Sequence, residues 1–237
     1  MNKFTGLVRR CVEDYKMIAD GETIAVGVSG GKDSLAMLCA LANLRGFYPK
    51  RFELHAFTLD MGFEGTDFSP VGRLCEEIGV PYTIRRTDLA DVIFNERREK
   101  NPCSLCAKMR RGALNDMIKE HGIVKIALAH HFDDAVETFM LSLLYEGRIN
   151  CFLPVTYMDR SGVTQIRPLL YAGEGTINRI VQKYVLPVVY NPCPMNGASK
   201  REEVKILLKT LSVKYPALKS KIFGAMKRLP LDGWEPV

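Results

Sequence analysis

Along the first half of the chain, short unbroken apolar runs alternate with stretches whose apolar residues recur every three or four positions. Residues 23–29 (Thr-Ile-Ala-Val-Gly-Val-Ser) are β-branched and almost continuously apolar, the pattern of a strand buried on both faces. After Gly30 and Gly31, residues Leu35, Leu38, Cys39 and Ala42 fall at helical spacing and predict a helix over 34–44. The same alternation predicts strands at 52–59, running up to Asp60, at 82–86 and at 123–129. It also predicts helices at 71–78, closed by Gly79, and at 133–145. Residues 88–100 and 104–120 are polar, helix-favouring stretches split by Asn101-Pro102, and Gly122 ends the second. Further on, the pattern predicts a strand at 165–170, a helix at 175–184, and a basic helical stretch at 200–228 broken at Pro216. Strands alternating with helices predict an α/β fold, a doubly wound Rossmann-like parallel sheet with helices on both faces. It is expected to span 1–199, with a basic helical C-terminal extension over 200–237.

Composition adds little until it is mapped. The 237 residues are 47% hydrophobic and 25% charged, which excludes disorder and suits a core-forming domain. No window approaches the roughly 18 uninterrupted apolar residues of a membrane span. Residues 1–20 have no apolar signal core, because Arg9, Arg10, Glu13, Asp14 and Lys16 interrupt them, so the expected location is cytoplasmic. The net charge of +6 is concentrated in two places. Residues 200–228 carry nine basic side chains against Glu202 and Glu203, and residues 96–111 carry six against Glu96 and Glu99. Solvated helix faces are the ordinary meaning of such runs. The second run, however, surrounds cysteines.

Seven cysteines, an odd number without an export signal, argue against a disulfide framework and for reduced thiols. Cys39 and Cys75 sit in apolar helical patterns as small hydrophobes, and Cys11 and Cys151 stand alone. Cys103 and Cys106 form Cys-x-x-Cys, whose spacing alone allows a redox pair, a zinc half-site or an iron–sulfur half-site. No second Cys-x-x-Cys completes a zinc site. Cys193, stiffened by Pro192 and Pro194, is the natural third thiolate, and three thiolates would leave one iron of a cubane cluster open to bind sulfide.

Two strand ends carry the remaining chemistry. Ser29, Gly30, Gly31, Lys32, Asp33 and Ser34 join a buried strand to a helix. The glycines admit close backbone approach, helix N-terminal amides attract phosphate, and Lys32 and the two serines add charge and donors. This is neither the Gly-x-x-x-x-Gly-Lys-Ser/Thr loop nor the Gly-x-Gly-x-x-Gly loop. It resembles the pyrophosphate loop of ATP pyrophosphatases, which adenylate a substrate and release pyrophosphate. Asp33 is an acid in a loop suited to phosphate, a repulsion that a bridging Mg²⁺ would remove. At the end of the strand predicted at 123–129 stands His130-His131-Phe132-Asp133-Asp134-Ala135-Val136-Glu137-Thr138. Asp133 and Glu137 share a helix face, where they are either dipole-stabilised carboxylates or metal ligands and bases facing a nucleotide. Two adjacent His and two adjacent Asp at one strand end favour function, with a hydrogen-bonded core or supporting group as the alternative for either histidine.

In their order along the chain, residues 29–34, the run 102–114 (Pro-Cys-Ser-Leu-Cys-Ala-Lys-Met-Arg-Arg-Gly-Ala-Leu), the run from His130 and Cys193-Pro194 resemble the tRNA 2-thiocytidine synthetases. These belong to the tRNA-thiolating pyrophosphatase-loop enzymes, and the resemblance runs from about residue 21 to residue 201. It implies an ATP-dependent sulfurtransferase that adenylates the C2 oxygen of a tRNA pyrimidine and replaces it with sulfur. Residues 29–34, with Asp60, would bind ATP; Cys103, Cys106 and Cys193 would hold a 4Fe-4S cluster; Asp133 or Asp134 would be catalytic or face Mg²⁺, and Arg110 would be catalytic, orienting the activated base or a phosphate. Arg111, Lys200 and Arg201 would meet tRNA phosphates. The implied partners are tRNA and a sulfur donor, either a cysteine desulfurase or free sulfide, with a homodimer as an open option. The chain is shorter than the well-known 2-thiocytidine enzymes and lacks the zinc-binding cysteine modules of related 2-thiouridine enzymes, which leaves the target base open. A lysidine-type ligase has no use for three spaced thiols, and a non-catalytic nucleotide and metal sensor has none for Asp133, Asp134 and the basic runs.

Overall fold

The computed structural model describes residues 1–97, 102–195 and 200–228. Six strands form one sheet in the order β3-β2-β1-β4-β6-β5. They are β1 (Glu22–Gly27), β2 (Phe52–Asp60), β3 (Tyr82–Arg86), β4 (Lys125–Ala127), β5 (Val155–Met158) and β6 (Val163–Ile166). All pairings are parallel except β5 with β6, a short hairpin at the edge. The parallel sheet is therefore present as expected, with an antiparallel edge strand that the apolar pattern did not predict. The strand expected at 165–170 lies at Val163–Ile166, because Pro168 cannot donate to a ladder.

The helices are α1 (Asn2–Asp14), α2 (Lys32–Arg45), α3 (Ser69–Glu77), α4 (Leu89–Asp91), α5 (Pro102–Glu120), α6 (Phe132–Leu141), α7 (Glu174–Lys183), α8 (Lys200–Lys214) and α9 (Leu218–Arg228). Helices α4 and α6 each run on through one π-helical turn, Val92–Glu96 and Ser142–Glu146. The end of the helix expected at 88–100 falls partly outside the described residues. Helix α1 was not predicted, although Phe4, Val8, Cys11 and Val12 form its buried stripe at helical spacing.

Strand alternation divides the core. Ile24 and Val26 face the large cluster built on α1, α2, α6 and α7, whereas Ala25 faces a smaller one with Phe57, Met117, Ile118 and Ile126 under α5. Helix α2 is buried along almost its whole length, as a helix covering a parallel sheet must be. In α5 only Asn115, Met117 and Ile118 are buried, so its first three turns do not pack down on the sheet. The expected extension at 200–237 packs into the main core through Val204, Leu208, Phe223 and Met226, and residues 229–237 lie outside the described residues. Among the described residues, no helix is long and apolar enough to cross a membrane.

Candidate functional site

Strand order reverses between β1 and β4, and the loops that follow these two strands, 28–31 and 128–131, flank the crevice where open α/β sheets bind ligands. Gly30 has φ +79°, and a Cβ there would stand 2.8 Å from the Val189 Cβ, so only glycine fits. The Ser34 hydroxyl donates to the Gly31 carbonyl at 2.8 Å, and the Ser29 and Ser34 hydroxyls are 3.3 Å apart. No side chain caps α2, which leaves its first amides available to an anion. Helix α6 contrasts with it. The His131 Nδ1 accepts from the Asp133 and Asp134 amides, and the Asp134 carboxylate accepts from the His131 amide, so α6 is closed by its own capping box. His131 thus closes the start of α6, and its Nε2 faces Asp134 at 3.5 Å and Asp33 at 3.8 Å.

A cavity of about 570 Å³ lies beneath the unpacked end of α5. The loop residues Ser29, Gly31, Asp33 and Ser34 line it, and so do Arg110 and Arg111 from α5 and His130 after β4. A second cavity of about 230 Å³ also opens on Ser29, Gly31 and Arg110, and it brings in Asp60, Cys106 and Cys193. The residue pattern placed these groups far apart; the fold gathers them around the loop at 29–34. The Cys193 segment is moored there directly, because the Val189 amide donates to the Gly30 carbonyl at 2.9 Å.

The thiols separate into two kinds. Burial pushes the Cys11 and Cys151 thiols up to about 12 and the Cys39 and Cys75 thiols to about 11, so all four are protonated packing groups. Cys103 is exposed, and Cys106 and Cys193 are half-buried. Burial raises Cys106, Arg110 draws it down, and Cys193 and Cys103 both raise it further, so each of these two thiols lies within electrostatic reach of Cys106. Among the described residues, no three His, Cys, Asp or Glu side chains close around a single metal ion. A donor set of three soft thiols, neighbouring yet spread, fits a multi-iron cluster better than one zinc ion.

Several expected site residues face elsewhere. Asp133 does not line either cavity: its buried carboxylate accepts from the Glu174 amide at 2.8 Å and from Lys219 at 2.6 Å, tying α6 to α7 and α9. Burial pushes Asp133 up, but these two partners outweigh it and leave its pKa lowered. Asp134 caps α6 and meets Arg201 at 3.4 Å. Arg201 also donates to Thr138 at 3.0 Å and lies 3.8 Å from Glu137, so its guanidinium is turned inward onto α6. Lys200 is exposed, pairing with Glu203 over the Tyr145 ring. The Lys32 ammonium lies 2.8 Å from Glu174 and 3.4 Å from the Asp33 carboxylate. The Asp60 carboxylate accepts from the Gly62 amide at 2.9 Å. Sequence reasoning missed Glu174, Lys219, Phe152 and Arg167. The last had a legible signal, a single cation in the apolar run Ile166-Arg167-Pro168-Leu169-Leu170.

Residues 4–203 match the PP-loop domain family. Two relatives named tRNA-cytidine(32) 2-sulfurtransferase, from Geobacter metallireducens and Geobacter sulfurreducens, are each 37% identical to this chain. The first alignment covers 92% of this chain and 86% of the relative, the second 94% and 88%. Among solved structures, the U34-tRNA thiolase NcsA from Methanococcus maripaludis, determined with its 4Fe-4S cluster, matches with a TM-score of 0.77 at 26% identity, over 96% of this chain and 78% of that one. An NH3-dependent NAD synthetase from Campylobacter jejuni shares the fold at 16% identity, with a TM-score of 0.50 over 96% of this chain and 93% of its own.

Proposed function

The chain belongs to the PP-loop domain family, among its tRNA-thiolating sulfurtransferases, and on that premise we propose that it converts a tRNA cytidine to 2-thiocytidine at the expense of ATP. The amides of the loop at 29–34 and the open N-terminus of α2 hold the phosphates, and Asp33 would hold a Mg²⁺ that offsets their charge. The cytidine C2 oxygen attacks the α-phosphorus, pyrophosphate leaves, and a poor leaving oxygen has become a good one. Sulfide then adds at C2 and AMP departs, so the exchange of oxygen for sulfur involves no net redox change. A 4Fe-4S cluster on Cys103, Cys106 and Cys193 would supply an open iron to carry that sulfide. Arg110, exposed at the mouth of both cavities, balances charge on the leaving phosphate or on the thiolates, and Arg111 beside it meets RNA phosphate. Lys200 is a tRNA-facing cation of α8. The source of sulfide is a cysteine desulfurase or free sulfide.

One observation supports this reading above the others: Cys106 and Cys193 share a cavity with Ser29 and Gly31, so the thiols open directly on the phosphate loop. A ligase or a sensor has no need for that juxtaposition. Mass spectrometry of tRNA nucleosides from cells lacking the gene tests it. Selective loss of 2-thiocytidine, restored by the gene, is expected; loss of a thiouridine reassigns the base, and an unchanged nucleoside profile overturns the proposal.

A further inference from the structure

Two buried polar atoms without a hydrogen-bond partner belong to residues lining the same large cavity, His130 Nδ1 and Arg167 Nε. A buried polar atom left unpaired costs about 1–3 kcal/mol, so two at one end of a cavity point to a ligand that would pair with them. They flank one aromatic ring, the His130 ring centroid at 4.9 Å and the Arg167 guanidinium at 5.1 Å from that of Phe152.

Arg167 is held rigidly. It is only 6% exposed, its Nη1 donates to the Leu153 carbonyl and the Thr156 hydroxyl, and its Nη2 donates to Gln165. One donor, Nε–H, therefore remains fixed and unpaired. Burial and the Arg167 charge push His130 down to about 4, so its imidazole is neutral and Nδ1 donates or accepts according to tautomer.

The cavity has two chemically different ends. Toward β2, Phe57, Leu59 and Leu114 present apolar side chains; toward β4 and β6, His130, Gln165, Arg167 and Phe152 present polar atoms and a ring. A reaction that joins two nucleotides through a phosphate needs a place for each, and the apolar end suits the adenosine. We propose that Arg167, His130 and Phe152 form the subsite for the target pyrimidine, with Arg167 Nε–H donating to the C2 oxygen, His130 meeting N3 and Phe152 carrying the ring. This deepens the thiolation reading above and rests on it.

The test uses the full-length protein with its cluster reconstituted without oxygen, and a ligated tRNA carrying either cytidine or an abasic site at the target position. The wild type should bind the cytidine form roughly tenfold more tightly, the scale of one or two hydrogen bonds and a stacked base. Arg167→Lys keeps a cation but removes the Nε–H, and His130→Phe keeps a ring beside Phe152. Each should bring the preference to within about twofold while affinity for abasic tRNA and for ATP stays as in the wild type. The two are scored separately, so a folding defect in one leaves the other decisive. An intact preference in the folded variants overturns the subsite, and a loss of ATP affinity assigns these residues to the adenosine and overturns it equally. If the wild type itself ignores the base while thiolating nothing, the thiolation reading has failed instead.

Discussion

The Lys32 ammonium lies 2.8 Å from the Glu174 carboxylate, which Lys205 also approaches at 3.3 Å. Lys32, also 3.4 Å from the Asp33 carboxylate, is thus tied to α7 as well as to its own loop, and a phosphate bound at that loop would have to compete for it. Glu174→Gln should raise ATP affinity about three- to fivefold, the size of a partly exposed ion pair, as read by calorimetric titration. A fall in affinity would show instead that Glu174 presents Lys32 to the phosphates. The hydrogen bond from Lys32 holds Glu174 at about 2, against its ordinary 4.5. A depressed carboxylate stabilises the fold above 4.5 and loses that contribution as pH falls toward 2. The acid limb of the melting temperature should therefore fall less steeply in Glu174→Gln than in the wild type.

Asp133 joins three helices, accepting from the Glu174 amide and from Lys219. Removing one partner of a buried charge leaves the other uncompensated, so Asp133→Ala or Lys219→Met should cost about 2–4 kcal/mol by chemical denaturation. The pKa of Asp133 is lowered, so the same variants should lose most at neutral pH and converge with the wild type as pH falls below the ordinary aspartate range. Wild-type stability with abolished adenylation would return Asp133 to the chemistry.

Strands β1 and β4 were legible because each lies in a nearly unbroken apolar run, a pattern independent of partners. Strand β5 was not, since Val155 to Met158 is half-polar and becomes a strand only by pairing with β6. The loop at 29–34 was legible because a turn alone does not require that set of polar residues. The orientation of Asp133 and Arg201 was not, because carboxylates at a helix start and cations on a tail read identically whether they meet ligand, RNA or each other. What decides is α8 and α9 folding back on α6, a contact between segments more than sixty residues apart.

Gly30→Ala should impair both halves of the site together. The left-handed backbone at φ +79° and a Cβ 2.8 Å from that of Val189 would shift either the loop or the segment leading to Cys193. The expected result is at least a tenfold loss of ATP affinity together with reduced iron content, whereas Gly175→Ala, whose Cβ meets nothing, should change neither.

The seven thiols should divide in function as they do in environment. Protein prepared without oxygen should be brown, and Cys103→Ala, Cys106→Ala and Cys193→Ala should each abolish the colour. Cys39→Ala and Cys75→Ala should keep it, at a cost in stability only, since these thiols are packed in the core. Removing the iron with a chelator should stop sulfur transfer while ATP still binds. A colourless wild type carrying one zinc would sink the cluster.

The basic tail should serve two masters, and salt dependence separates them. Arg201, Lys205 and Lys219 are turned onto Asp134, Glu174 and Asp133, so neutralising them should lower stability and leave the salt slope of tRNA binding unchanged. Lys209 and Lys221, on the exposed faces of α8 and α9, have no such carboxylate partner among the described residues. Each phosphate contact contributes roughly 0.7–0.9 to the slope of log affinity against log salt, so Lys209→Ala and Lys221→Ala should each flatten it by about that amount. A flatter slope in Arg201→Ala at unchanged stability would instead mean that tRNA draws this guanidinium away from α6.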